Sequence, residues 1–287
     1  RHAAWLPGWC RFAASRTGAS PDPTFHAWLQ WQFDRQWTAL RAHTPARIAL
    51  GRAGGSLPTA ARLDFLLAHA RARDAVQAIL DAEALGRDLA GAGIAHARAA
   101  TGATDRATYL ARPDLGRRFA QDSRAALAAR AGDWAKCDLA VIVSDGLSAP
   151  AAQRHAVPTL QPLLAHLTAA GWRVAPVLLV PFARVKLQDE LGTLLRCRLS
   201  LVLLGERPGL GAPDSLGAYL TFGPGAGRTD ADRNCVSNIR PEGLPPAAAA
   251  ARLADLLLAA ARLGRSGTGL KEDTARAGDT VLSPPAP

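Results

Sequence analysis

Apolar residues recur along this chain with two different periods, and the change from one to the other falls near Gly132. Between Pro58 and Leu80, Leu63, Leu66, Leu67 and Ala70 stand at i, i+3, i+4 and i+7, while Arg62, Arg71, Arg73 and Asp74 lie mainly to the other side. That spacing gathers the apolar side chains into one stripe of a helix. Residues 82–100 and 121–131 are rich in Ala, Leu and Arg, which favour helix, and Gly91, Gly93, Pro113 and Gly132 mark the breaks. The first half therefore reads as helical.

Beyond Gly132 the pattern becomes short, continuous apolar runs. Asp138-Leu-Ala-Val-Ile-Val143 ends at Ser144-Asp145-Gly146 and is followed by a helical stretch from about Pro150 to Ala170. A β-branched run with no polar face suits a strand covered on both sides. The unit repeats: Arg173–Val180 predicts a second strand, Lys186–Leu195 a short helix, Arg198–Leu204 a third strand and Leu216–Phe222 a fourth. A last helix runs from about Ala247 to Leu263, with Leu253, Leu256, Leu257, Ala260 and Leu263 as its buried stripe and Gly264 as its C-cap. Strands alternating with helices predict an α/β protein: a helical N-terminal domain followed by a doubly wound, parallel-sheet domain of the Rossmann or flavodoxin type. The boundaries read as an irregular extension over 1–36, the helical domain over 37–135, the α/β domain over 136–270 and a Pro-rich, disordered tail over 271–287.

In open α/β sheets, ligands bind beyond the carboxyl ends of the strands. Three strand ends are chemically unusual: Ser144-Asp-Gly-Leu-Ser148, the Pro181–Val185 loop, and Gly205-Glu-Arg-Pro-Gly209, while a polar cluster, Thr229–Asn238, follows the last strand. Ser148, His155 and Asp145 are the residue types of a nucleophilic triad, but no Gly-x-Ser-x-Gly elbow surrounds the serine. Ser148 is more simply a helix N-cap whose hydroxyl satisfies an amide. Gly223-Pro-Gly-Ala-Gly227 lacks the spacing of a phosphate loop, and its proline removes an amide donor. Glu206, at the mouth of a buried strand, has two readings of equal weight: an ion pair with Arg207, or an acceptor for a ligand. Cys235 by itself reads as a packing thiol.

Composition narrows the class. The chain has 287 residues, 48% of them hydrophobic, and no apolar run approaches the ~18 residues of a membrane helix. The net charge of +10 is carried mostly by scattered Arg in a sequence rich in Ala, Gly and Pro, with no basic strip interleaved with aromatics, which speaks against nucleic acid. The four cysteines are far apart and none of the seven histidines forms a ligand pair, so no protein-bound metal is expected; reduced thiols in a cytoplasmic protein are the default.

Five stretches together resemble a known family. Thr44-Pro-Ala-Arg-Ile-Ala-Leu-Gly-Arg-Ala-Gly-Gly-Ser-Leu-Pro58, Ala68-His-Ala-Arg-Ala-Arg-Asp-Ala-Val76, Asp145-Gly-Leu-Ser-Ala149, Gly205-Glu-Arg-Pro-Gly-Leu210 and Asp232-Arg-Asn-Cys-Val-Ser-Asn-Ile239 occur in the order found in the small (light) subunit of ethanolamine ammonia-lyase. The resemblance implies a carbon–nitrogen lyase that converts ethanolamine to acetaldehyde and ammonia with adenosylcobalamin. It also implies a large TIM-barrel subunit that holds the substrate, with the cofactor between the two chains. Residues 37–135 would then contact the large subunit and 136–270 would cover the cofactor. The family's cofactor contacts fall on Val185, Glu206 and Cys235, and no catalytic residue falls on this chain. No Asp-x-His-x-x-Gly stretch occurs, so the cofactor is expected to keep its own dimethylbenzimidazole on cobalt. A cytoplasmic location is implied, for some members inside a bacterial microcompartment. The rival reading is a stand-alone flavodoxin-like binding module or scaffold protein without catalysis.

Overall fold

The computed structural model describes residues 34–134 and 137–270. The tail expected over 271–287 and nearly all of the extension expected over 1–36 lie outside these residues. The chain divides into two compact units at His69/Ala70. Helix α1 (Thr59–Gln77) begins in the first and ends in the second. In the first unit, Arg47 Nε donates to Asp64 Oδ2 at 3.0 Å. The predicted helix is present, yet Leu63, Leu66 and Leu67 of its stripe remain 60%, 50% and 49% exposed. Helical spacing was correctly read, but burial of that stripe within the chain does not follow.

The second unit is an α/β sandwich around one six-stranded sheet, ordered β1-β3-β2-β4-β5-β6. The strands are β1 (His96–Arg98), β2 (Leu139–Ser144), β3 (Val177–Leu179), β4 (Leu199–Gly205), β5 (Leu216–Phe222) and β6 (Arg233–Ile239). The helices are α2 (Ala82–Gly91), α3 (Arg106–Ala111), α4 (Gln121–Trp134), α5 (Ala149–Ala169), α6 (Leu187–Leu195) and α7 (Pro246–Leu263). The α/β class expected from the sequence is observed. β1 to β4 run parallel, whereas β5 is antiparallel to both of its neighbours, β4 and β6. The reason is the connections: residues 206–215 and 223–232 carry no helix that could return the chain to the same sheet edge, so each joins a hairpin rather than a crossover.

Two strands went unread. β1 lies within a stretch expected to be helical, and it makes an edge of the sheet beside β3. β6 occupies the polar cluster after the fourth predicted strand, where only Val236 and Ile239 are buried. A three-residue strand, or an edge strand with one buried face, leaves little periodicity to detect.

Alternate residues of β2 and β4 divide the core. On one face Leu139, Val141, Val143, Leu199, Leu201 and Leu203 pack with α2, α5 and α7. On the other, Ala140, Ile142, Val202 and Leu204 pack with α4 and α6. Gly264 ends α7 in the left-handed conformation at φ +66°, as its place in the sequence predicts. Leu263, expected on the buried stripe of α7, is 49% exposed. Among the described residues, the face bearing α4 and α6 has no helix over β5 and β6, and this gap forms the site described next.

Candidate functional site

An open cleft of about 680 Å³ lies on that uncovered face, lined among others by Val185, Lys186, Tyr219, Arg233 and Cys235. Tyr219 of β5 and Cys235 of β6 are register partners across an antiparallel pair, so both side chains stand on the same face and form the floor. Desolvation and the nearby Glu206 charge push the Cys235 thiol above its ordinary value. Burial, followed by Cys235 and Glu206, raises the Tyr219 phenol well above its own. Both groups are therefore neutral near pH 7.

Beneath the floor sits a buried ion pair. Arg233 donates to Asp189 through both terminal nitrogens, at 3.0 and 2.7 Å, and to Thr221 Oγ1 at 3.0 Å. Each side chain of the pair is 4% exposed. The fork-to-fork geometry ties the start of β6 to the first turn of α6.

The Pro181–Val185 loop makes the next wall, anchored to the end of β2. The Phe182 amide donates to Asp145 Oδ1 at 2.7 Å, and the Ala183 amide to Ser144 Oγ at 2.9 Å. Phe182 takes φ +61°, strained for a side chain of its size, which these two bonds hold in place. Further on, Gln188 Nε2 donates to the Val185 carbonyl at 3.0 Å while its Oε1 accepts from Ser200 of β4 at 2.9 Å. The backbone of Val185 is thus fixed to the sheet through a fully buried amide. The Arg184 amide donates to the Gly116 carbonyl at 2.8 Å, which brings the 3₁₀ turn Leu115–Arg117 and its Arg117 to the rim.

Glu206 leaves β4 on the same face as Tyr219. Its Oε2 accepts from Ser215 Oγ at 2.5 Å and from the Asn238 amide at 3.3 Å. Its Oε1 accepts nothing from the described residues. Among these residues no cation lies within ion-pair distance of Glu206, so the pairing with Arg207 is not formed. Two glycines make this placement possible. A Cβ on Gly217 would stand 2.7 Å from Glu206 Oε1, and one on Gly205 would stand 2.1 Å from the Ser148 carbonyl oxygen.

The crevice at the carboxyl end of β2, where an open sheet would ordinarily take its ligand, is filled from within. Arg106 donates to Asp145 Oδ2 at 2.6 Å and to the Gly146 carbonyl at 2.7 Å, and its guanidinium lies 5.3 Å from the Tyr109 ring centre. Burial pushes the Asp145 carboxyl up, against the opposing pull of Arg106 and the Phe182 amide. The Asp145-Gly-Leu-Ser stretch therefore supports the cleft wall instead of lining a pocket. The triad geometry is not assembled: the Ser148 hydroxyl donates to the Pro213 carbonyl at 2.8 Å, and His155 Nε2 lies 3.6 Å from Asp214, not from Asp145. Ser148 is at the N-cap position as expected, but its hydroxyl accepts from no helix amide and donates instead to the Pro213 carbonyl. Among the described residues no group of three His, Cys, Asp or Glu could hold a metal ion, and no helix is long and apolar enough to cross a membrane.

Of the three residues carried from the resemblance, Val185 and Cys235 line the cleft, while Glu206 is not among its lining residues and reaches it only through its charge, which acts on Tyr219 and Cys235. Arg117, Arg184, Lys186, Tyr219 and Arg233 were not foreseen. Tyr219 could have been inferred from alternation along β5 once Cys235 was assigned to an opposing strand; the cations carry no local signature at all.

The architecture defines an α/β protein with an open cleft on one face of its sheet. The model of the ethanolamine ammonia-lyase light chain (EutC) matches residues 34–271, and the chain belongs to that family. Among curated relatives, the ethanolamine ammonia-lyase small subunit of Azotobacter vinelandii is 52% identical over 84% of this chain and 89% of its own length. Those of Pseudomonas putida KT2440 and Pseudomonas paraeruginosa PA7 are 51% and 49% identical, each over 84% of this chain and 89% and 88% of their own lengths.

Proposed function

We propose that this chain serves as the small subunit of an adenosylcobalamin-dependent ethanolamine ammonia-lyase and forms one wall of the cofactor site against a large TIM-barrel subunit. The observation that carries this reading is the cleft itself: in a member of this family, Val185 and Cys235, carried from two separate motifs, line one cavity beside β5 and β6, and the Glu206 charge acts on its Tyr219 and Cys235.

The residues fit a corrin. Glu206 Oε1 has no donor among the described residues, and the ring's peripheral amides would supply donors. Val185 offers an apolar contact, and Cys235, kept as a thiol, a soft one. A cleft of about 680 Å³ is in the range that encloses a drug-sized ligand, and a whole cobalamin is considerably larger, so a second chain is needed to complete the enclosure. When bound, the cofactor supplies the radical chemistry of ammonia elimination, and the protein's part is to hold it and exclude water. Residues 136–270 would cover the cofactor. Residues 37–135 would contact the large subunit, for which the exposed Leu63, Phe65, Leu66 and Leu67 of α1 provide an apolar patch.

The test is reconstitution. Mixed with a large subunit and adenosylcobalamin, the chain should support acetaldehyde release from ethanolamine; by itself it should release none. Turnover by the isolated chain would overturn the proposal.

A further inference from the structure

Three cations stand together on one wall of the cleft: Arg117 from the 3₁₀ turn, and Arg184 and Lys186 from the loop before α6. None has a carboxylate within ion-pair distance among the described residues. Of the acids nearby, Asp189 is taken up by Arg233, Glu190 by the Phe119 amide and Arg124, and Asp114 by Arg112 and Arg118, while Asp230, fully exposed, is the acid among the lining residues. Like charges brought together without a counter-charge repel one another, and a protein usually dilutes such an arrangement with acids, as it does elsewhere on this chain. Here the cluster is held in place structurally. The Arg184 guanidinium lies 4.1 Å over the Tyr109 ring centre and donates to the Tyr109 carbonyl at 2.8 Å, while its Nε is buried without an acceptor. Lys186 Nζ reaches only a backbone carbonyl, that of Arg228, at 3.3 Å.

We propose that this wall binds a phosphodiester, and, resting on the cofactor reading above, that the phosphodiester is the one in the nucleotide loop of cobalamin. Three features select a phosphate over a carboxylate or a neutral amide. The charge is multiple and uncompensated. Two of the three cations are guanidinium groups, whose planar fork matches phosphate oxygens. The wall also abuts the start of α6, where the helix dipole is positive. The first amides of that helix are already used, Leu187 N on the Arg184 carbonyl at 2.9 Å and Asp189 N on the Lys186 carbonyl at 3.1 Å, so the anion is met by side chains rather than by a backbone cradle. The corrin contacts and the phosphate contacts thereby separate in the cleft: Glu206, Tyr219 and Cys235 on the sheet floor, the three cations on the loop wall.

Cobinamide, which has the corrin but lacks the phosphate, ribose and benzimidazole, distinguishes the two halves. In the assembled two-subunit complex, aquacobalamin and diaquacobinamide are titrated by their absorbance changes against the unaltered protein and against Arg117→Gln, Lys186→Gln and Arg184→Lys. The two exposed positions are chosen first because neither supports the core; Arg184→Lys keeps charge but removes the fork. Each neutralising change should weaken cobalamin binding about ten-fold and flatten its salt dependence, while cobinamide binding changes less than two-fold. Inorganic phosphate at tens of millimolar should compete with cobalamin and leave cobinamide unaffected or tighter. Equal losses for both corrinoids, or none for either, would overturn the phosphate assignment and leave the cleft as a corrin site. If neither corrinoid binds the unaltered complex, the cofactor reading falls and this inference falls with it.

Discussion

Replacing Arg233 by Met removes one half of an ion pair in which both side chains are 4% exposed, and the consequence can be worked through. Asp189 would keep its place in the first turn of α6, buried at 3% exposure, with both carboxylate oxygens stripped of their donors at 3.0 and 2.7 Å. Leaving a buried charge unpaired costs about 3–5 kcal/mol. For a chain of this size each kcal/mol moves the melting temperature by roughly 2–4 °C, so the variant should melt about 6–20 °C lower. Asp189→Leu should be comparably harmful, since it strands the guanidinium. The double variant, Arg233→Met with Asp189→Leu, removes both charges and should recover most of the loss, because two apolar groups in place of a buried pair are often neutral or better. Thermal melts followed by circular dichroism, with a urea series to confirm the order, measure all three. Single variants within about 1 kcal/mol of the parent would mean the pair is screened by water, and a double variant no better than the worse single would mean the cost is lost packing rather than stranded charge. Either result would refute the account of how β6 is fixed to α6.

Other substitutions separate holding the fold from holding the ligand. Glu206→Gln should weaken cobalamin binding by the assembled complex roughly ten-fold, since a charged acceptor becomes a neutral one; an unchanged titration would remove Glu206 from the site. Gly217→Ala places a Cβ 2.7 Å from the Glu206 carboxylate, which is the end of a movable side chain, so it should lower affinity as much as Glu206→Gln with little change in melting temperature. Gly205→Ala meets backbone instead, at 2.1 and 2.4 Å from the Ser148 and Asp145 carbonyl oxygens, and should cost about 3 kcal/mol or more of stability in urea unfolding. The raised Cys235 thiol predicts a pH signature. In a Cys10→Ser background, alkylation by iodoacetamide should climb about ten-fold per pH unit through and beyond the ordinary thiol value of about 8.5, and a plateau below pH 8.5 would contradict the raised value.

Much of the scaffold was readable without coordinates because it follows from local rules. Leu139–Ser144 and Leu199–Gly205 are buried at every position, and a short apolar run of that kind has few alternatives to a central strand. The α7 stripe and its Gly264 cap follow from helical spacing and from the left-handed turn that glycine accepts. Which motifs are proposed to meet the ligand came only through resemblance: nothing local in Val185, Glu206 or Cys235 marks any of them as a contact.

Tertiary structure decided the rest, because it depends on pairs distant in the chain. Connections without an α-helix set β5 antiparallel to β4 and to β6, and no helix of the described residues covers their cleft-side face, which is why the cleft is floored by the sheet face and not confined to its carboxyl rim. Asp145, 39 residues from Arg106, became a wall anchor once that guanidinium filled its crevice. Arg117 joins Arg184 and Lys186 only because the Gly116 carbonyl accepts the Arg184 amide. A charge's neighbours through space, not along the chain, determine whether it is neutralised, buried or left for a ligand, and no pattern in the sequence records them.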